Sequence, residues 1–286
     1  MERRFAVRKE QLLDECEVGV GLFRGMMERL KRFAEPFLSR LWRKEQKEHG
    51  ETYLAGLLSD LRRKNSESMA YRHDQDRAGI QRFVGVSGWD HEPLLEELCS
   101  QVGRKLGEED GVIVFDPSGF AKCGTHSVGV ARQWLGRLGK VDNGQVGIYM
   151  GYVSRKGHAL TDERLYMPKD WIRDKKRRQE CGVPKDLRFR TRHELAVEML
   201  ESRRQRLPHA WIAGDDEMGR STRFRRTLRA LDERYVLAVP SNTTIRDLRG
   251  DPPAYAGRGA QPKRRFERVD SWKKSLSAQD WTRVDI

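Results

Sequence analysis

Apolar positions along the first hundred residues recur at three- and four-residue spacing. Leu12, Leu13, Cys16, Val20, Leu22, Phe23, Met26, Met27 and Leu30 form one series, which predicts an amphipathic helix. Pro36 is expected to break or kink the chain just beyond this helix, because proline has no N–H to donate and its ring clashes with the preceding turn. Tyr53, Leu54, Leu57, Leu58 and Leu61 mark a second helix, ending in Arg62-Arg63-Lys64. A short helix is expected over 80–83. Trp89-Asp90-His91-Glu92-Pro93 reads as the entry to another over 94–106, stopped by Gly107. Packing, dimerisation and DNA recognition all suit such a helical segment.

The periodicity then changes. Residues 111–115 are a β-branched run closed by Asp116-Pro117-Ser118-Gly119, which predicts a strand stopping at a turn. Residues 145–154 and 159–167 read as two more strands, and 168–190 as a charged loop. Thr191, with Glu194 in the first turn, predicts the cap of a helix over 193–204. Residues 210–213 form a short strand before Gly214-Asp215-Asp216, Ser221 caps a helix over 222–231, and 235–240 is a last strand. Three strands, a helix, a strand, a helix and a strand predict an α/β domain with a mixed sheet. Beyond Ser241 the chain is rich in Gly, Pro and basic residues.

Charge adds a partner. Lys plus Arg total 56 against 43 Asp plus Glu, a net of +13, and residues 203–286 alone hold 19 against 11. A polyanion is the expected partner, held through salt-sensitive phosphate contacts. The clusters Lys175-Lys176-Arg177-Arg178, Arg203-Arg204, Arg223 with Arg225-Arg226, and Lys263-Arg264-Arg265 favour nucleic acid over a merely solvated surface. No apolar run approaches the roughly 18 residues of a membrane helix, and the charged start of the chain lacks a signal-peptide core, so a cytoplasmic, nucleoid-associated protein without a membrane partner is expected. Cys16, Cys99, Cys123 and Cys181 are scattered, with no CxxC pair, and are expected to be reduced thiols. Cys123 and His126 lack a second ligand pair at metal spacing.

Asp116 and Asp215 each directly follow a short apolar strand. Sites of open α/β sheets form at the carboxyl ends of strands. If the first and fourth strands are neighbours, the two carboxylates come within a few Å. Like charges that close are costly unless a cation sits between them. Hard oxygen ligands suit Mg²⁺ or Mn²⁺, the ions of phosphodiester chemistry. Aspartates also end strands as turn residues, so the pattern alone leaves both readings open.

A longer motif bears on the choice. Asp116, Gly119, Phe120, Lys122, Gly124, Ser127-Val128-Gly129-Val130, Arg132-Gln133, Gly136, Gly139-Lys140, Asn143 and Gln145-Val146 together resemble the first catalytic block of bacterial insertion-sequence transposases of the DDE superfamily, in the DDE superfamily endonuclease group. Leu165 to Trp171, Gly182-Val183-Pro184, Phe189-Arg190-Thr191, Glu194-Leu195-Ala196, Trp211 to Gly219 and Arg234 to Pro240 continue the resemblance. Gly56-Leu57-Leu58, Arg63-Lys64-Asn65, Met69-Ala70, Gln81-Arg82-Phe83 and Trp89-Asp90 extend it upstream.

The resemblance implies a ribonuclease-H-like fold over 109–245, a helical domain over 1–108 and the start of a β-rich insertion over 246–286. It implies metal-dependent cleavage and strand transfer of double-stranded DNA at element ends and target, with a homodimer as the family expectation. Asp116 and Asp215 are the implied catalytic and metal-binding residues, with Mg²⁺ or Mn²⁺ as cofactor. Asp215 stands four residues before Gly219, the family's Asp-x-x-x-Gly spacing; Pro117 replaces a frequent second acid and Met218 a usual aromatic. Lys122, Arg132, Gln133, Lys140, Arg220 and Arg223 are candidate DNA contacts; the first four suit bracing of the loop between the first two strands equally well. His126 is expected to be structural rather than a DNA contact, and Trp134 to be packed rather than to stack on a base. The third acid, a glutamate on a later helix, has no match: Glu217, Glu233 and Glu267 lack its context. A truncated transposase with impaired activity is therefore expected. The alternatives are a noncatalytic DNA-binding regulator derived from such an element and a metal-dependent nuclease of the same fold.

Overall fold

The computed structural model describes residues 6–7, 9–11, 24–246, 248, 251–261, 263 and 265–282. The helix series from Leu12 to Phe23, Cys16 within it, and Arg264 lie outside the described residues. The chain divides into two compact units, Met1–Gln101 and Val102–Ile286. Among the described residues no helix is long and apolar enough to cross a membrane.

The regular elements of the first unit are helices: α1 (Arg24–Leu38), α2 (Lys44–Leu58), α3 (Ser66–Arg72), α4 (Arg77–Gly85) and the start of α5 (Glu92–Leu106). Pro36 does not end α1; it stands in the last turn, where few hydrogen bonds remain to be lost. Leu58, not the basic run at 62–64, ends α2, and Ser59 turns the chain back. The helix α3, which the apolar periodicity does not reveal, starts where the Asn65 side chain accepts the Ser68 N–H at 2.8 Å, and Asp76 caps α4 in the same way. Leu30, Ala34, Met69, Ala70, Ile80 and Phe83 form the core.

The second unit is a six-stranded mixed sheet. Its strands are β1 (Val112–Ala121), β2 (Ala131–Leu135), β3 (Lys140–Ser154), β4 (Gly157–Leu165), β5 (Trp211–Gly214) and β6 (Tyr235–Leu237). The long strand β3 pairs antiparallel with β1 along one edge and with β2 and β4 along the other. Beyond β1 the sheet turns parallel: β1 pairs β5, and β5 pairs β6. Helices follow β4: α6 (Lys169–Arg173), α7 (Lys175–Glu180) and α8 (Arg192–Arg203). Two more, α9 (Asp216–Arg220) and α10 (Thr222–Ala230), separate β5 from β6. Phe115 of β1 meets Phe224 of α10 edge-on at 6.3 Å. With Ile148, Met199, Ile212 and Leu228 they form a core at or near zero exposure, the principal stabilising term of the unit.

Four expectations need correction here. The first strand does not stop at Asp116 but runs to Ala121, paired throughout with β3. β5 stops at Gly214 opposite Phe115, so beyond that point β1 has a free edge on which Pro117 is tolerated. The segment between the first two expected strands is not simply a loop: β2 lies in it, and β3 begins at Lys140 rather than 145. The charged segment 168–190 holds α6 and α7, because Trp171, fully buried, anchors it through its indole N–H to the Val130 carbonyl at 2.7 Å. Trp134, expected to be packed, is 54% exposed.

Past β6, β7 (Thr244–Ile245) pairs antiparallel with β8 (Glu267–Arg268), followed by α11 (Val269–Trp272).

Candidate active site

Asp116 sits on β1 opposite Tyr149 of β3, and its Oδ2 accepts from Ser118 Oγ at 3.1 Å. Asp215 follows β5 directly and caps α9, its Oδ1 accepting the Met218 N–H at 3.1 Å. Since Phe115 and Gly214 are partners across the parallel pair, the residues after them stand side by side. Gly219 keeps α9 in place: a Cβ there would lie 1.7 Å from the Ala238 carbonyl oxygen. That is the physical content of the Asp-x-x-x-Gly spacing.

The Asp215 carboxyl opens to the cleft, yet its pKa is raised above the ordinary carboxylate value. Partial burial is the main cause, followed among the raising effects by the charges of Asp116, Glu217 and Asp216; the Met218 N–H opposes them. Nearby cations do not relieve this. Arg192 pairs with Glu217, and Arg220 with Asp216 at 3.6 Å. Asp116 and Asp215 have no ion-pair partner among the described residues. Two hard oxygen donors in an uncompensated acidic spot fit a divalent cation. Among the described residues, no group of three or more His, Cys, Asp or Glu side chains is placed to hold a metal.

The cleft beside Asp215 is walled by Pro117, Gly119, Trp134, Gly136 and Val146 from the sheet and by Arg192, His193, Asp216, Glu217 and Arg220 from the helices. His193 bonds the Glu217 carbonyl through Nε2 at 3.0 Å. Sequence reasoning did not single out Arg192 or His193 as part of a site, and it set base stacking by Trp134 behind packing. Arg192 and His193 begin α8 behind the Thr191–Glu194 capping box, which identifies the helix start but not what it faces.

The remaining sequence candidates scatter. Lys122 is exposed just beyond β1, its backbone carbonyl receiving the Asn143 amide at 2.7 Å. Arg132 is exposed on β2 and reaches the Val141 carbonyl at 3.4 Å. Gln133 donates to the Gly144 carbonyl at 2.8 Å and the Gly129 carbonyl at 3.4 Å. Lys140 pairs with Asp142 at 2.8 Å. Arg223 pairs with Glu194 at 3.1 Å and is largely exposed. Only Asp215 and Arg220 line the cleft itself. The acids weighed as a third ligand also have other partners: Glu217 holds Arg192, and Glu233, which lies beyond α10, holds Arg204 at 3.0 Å and His209 at 3.1 Å.

The basic cluster of α7 is divided. Arg177 stacks over Trp171 at 3.7 Å and donates to the Thr125 carbonyl, while Arg178 donates to the Pro184 and Lys185 carbonyls. Gln145, whose amide donates to the Val128 carbonyl, and Asn143 hold the segment between β1 and β2 to the sheet, Arg177 ties it to α7, and Arg178 braces the turn that follows α7. Cys99, Cys123 and Cys181 are free thiols.

A relative described as a probable transposase for insertion sequence element IS701, from Microchaete diplosiphon, is 27% identical over 197 residues. That match covers 68% of this chain and 49% of the relative, so the chain spans about half the length of the curated relative it matches. Residues 36–286 match the family described as DDE superfamily endonuclease. With Asp116 on β1 and Asp215 directly after β5 side by side, the chain belongs to the DDE superfamily endonuclease family.

Proposed function

We propose that the chain is the DNA-processing part of a transposase, cleaving phosphodiesters at element ends and joining them to a target. The observation that carries this reading is the pair Asp116 and Asp215 on neighbouring parallel strands, with the Asp215 carboxyl pushed up by burial and by Asp116. The strand order supports a ribonuclease-H-like fold, with three antiparallel strands followed by two parallel ones. On this reading 109–245 is the catalytic domain, 1–108 a helical domain and 246–286 the start of an insertion.

Asp116 and Asp215 would hold Mg²⁺ or Mn²⁺. When bound there, such an ion supplies Lewis acidity to the attacking hydroxyl and to the leaving 3′-oxygen of a phosphodiester. The protein's own part is positional. The α9 backbone fixes the Asp215 Oδ1 and leaves the other oxygen available. Exposed Lys122, Arg132, Lys140, Arg220 and Arg223 offer phosphate contacts, and Gln133 braces β2 against β3. Such contacts position DNA without reading its sequence. With two carboxylates and no third among the described residues, this chain alone is expected to cleave weakly. The same observation favours a second reading, a noncatalytic DNA-binding regulator.

The test is cleavage of labelled duplex DNA by the full chain in Mg²⁺ or Mn²⁺, with an RNA–DNA hybrid in parallel. Weak duplex cleavage, lost in both Asp116→Asn and Asp215→Asn, supports the proposal. Binding with no cleavage in either metal supports the regulator. Preference for the hybrid points to a different nuclease, and no binding to either nucleic acid refutes all three.

A further inference from the structure

One side chain of the cleft is explained neither by the fold nor by a pair of metal-binding carboxylates. Trp134 lies on β2, more than half exposed, in the same cleft as Asp215, Arg192 and Arg220. Its ring makes no hydrogen bond and no ring contact among the described residues. The strand does not need it for anchorage, because the next residue, Leu135, is fully buried and fills the space above Gly119 and Gly144. Exposure alone does not single Trp134 out, since Trp42 is 95% exposed. Its cleft does. The indole lines the cleft that Asp215 lines, and Arg220, its guanidinium largely in solvent, lines it too.

A nucleobase with its phosphate matches that arrangement, the base on the indole and the phosphate toward the guanidinium. Within a paired duplex both faces of every base are covered by its neighbours. An indole therefore gains a stacking partner only from a base that has left the helix. We infer that Trp134 is a stacking platform for one unpaired nucleobase of the DNA strand whose phosphodiester lies at Asp116 and Asp215. This rests on the DNA-processing reading above and adds to it that the strand is locally unpaired when engaged. Such stacking tolerates any base, because every base offers a π face.

The full chain, without divalent metal so that nothing is cut, is titrated into two DNA duplexes closed by hairpins at both ends. One is fully paired, and the other carries a single bulged 2-aminopurine. The expected result is that Trp134→Ala weakens binding of the bulged duplex roughly tenfold and leaves the paired duplex unchanged. The 2-aminopurine quenching seen with the unmodified chain is then lost in Trp134→Ala and Trp134→Leu, which lack an aromatic face, and largely kept in Trp134→Phe. Equal losses on both duplexes, or equal binding of the bulged duplex by the unmodified chain and Trp134→Ala, overturn the inference. If the unmodified chain binds neither duplex, the DNA-processing reading falls with it. If it binds both and Trp134→Ala changes neither, only the stacking platform falls.

Discussion

Asp162 and Asp215 belong to the same sheet unit and show what a carboxylate does with a cation and without one. Asp162, on β4, is fully buried and accepts from Arg203 Nε at 2.8 Å, with Arg164 at 3.3 Å. Arg203 is itself almost wholly buried, on the face of α8 that packs against the sheet. Charge in that place is matched by charge, and the pair fastens helix to sheet. Asp215 has Asp116, Asp216 and Glu217 for company, and the cations within reach serve the last two. Its charged form is disfavoured in the free protein. A folded chain keeps such an arrangement cheaply only where something positive arrives, so the matched aspartate belongs to the fold and, on the proposed function, the mismatched one to the chemistry.

The strongest way to break this contrast is to remove the matched partner. Asp162→Ala removes the carboxylate that the buried Arg203 guanidinium faces, which is expected to cost about 3–5 kcal/mol, read as a lower urea midpoint. A loss below about 1 kcal/mol would dissolve the distinction. Asp215→Asn should do the opposite. Its carbonyl oxygen still accepts the Met218 N–H and one like charge is gone, so thermal stability stays level or rises. Any metal-dependent DNA cleavage by the chain should meanwhile fall at least about a hundredfold. A melting temperature that drops as far as that of the Asp162 variant would make Asp215 structural as well.

The same division sorts the arginines. Arg177→Ala removes a stacked guanidinium and a carbonyl contact, and is expected to cost about 1–2 kcal/mol of stability. Arg226, exposed on α10 without a hydrogen bond or ion pair among the described residues, should change stability by less than about 0.5 kcal/mol when made Ala. Its loss should instead flatten the salt dependence of DNA binding by about one unit of slope, measured by titration at several salt concentrations. The reverse pattern would mean that α7, not α10, is the phosphate track.

The smallest effect tests the first unit. His73 has a pKa lowered from 6.5, chiefly by burial and then by the neighbouring Arg72. Above 6.5 both folded and unfolded chains hold it neutral, so it contributes nothing. As pH falls through 6.5 the unfolded chain takes up the proton first, and stability declines until the folded pKa is passed. Melting between pH 7.5 and 5 should show this decline, and His73→Gln should remove that part of it. An unchanged slope in the variant would assign the acid sensitivity to other groups.

Much of this organisation is legible in the residues. Thr191 with Glu194 and Ser221 cap the helices they were expected to cap, because capping is a local bargain between a side chain and the next few amides. The apolar runs at 145–154 and 159–167 form β3 and β4 for an equally local reason, their side chains filling a buried face. Other features were not legible. β1 continues through Asp116-Pro117 because β3 offers it a partner and β5 has ended, and no turn signal carries that information. β2 is a short strand of mixed polarity that exists by pairing with the start of β3. The α7 cluster looks like phosphate-binding charge until Trp171 and the carbonyls of the neighbouring segment are seen to occupy two of its arginines.

The sequence by itself determined the family, the two aspartates that follow short apolar runs and the basic excess, since these rest on residue identity and spacing along the chain. Only the tertiary structure decided which charges are matched. Distance between side chains of remote segments sets electrostatic energy, and that distance is a product of strand pairing. Thus Arg192 goes to Glu217, Arg203 goes to Asp162, and Asp215, beside Asp116, is left facing a cleft with Trp134 in its wall.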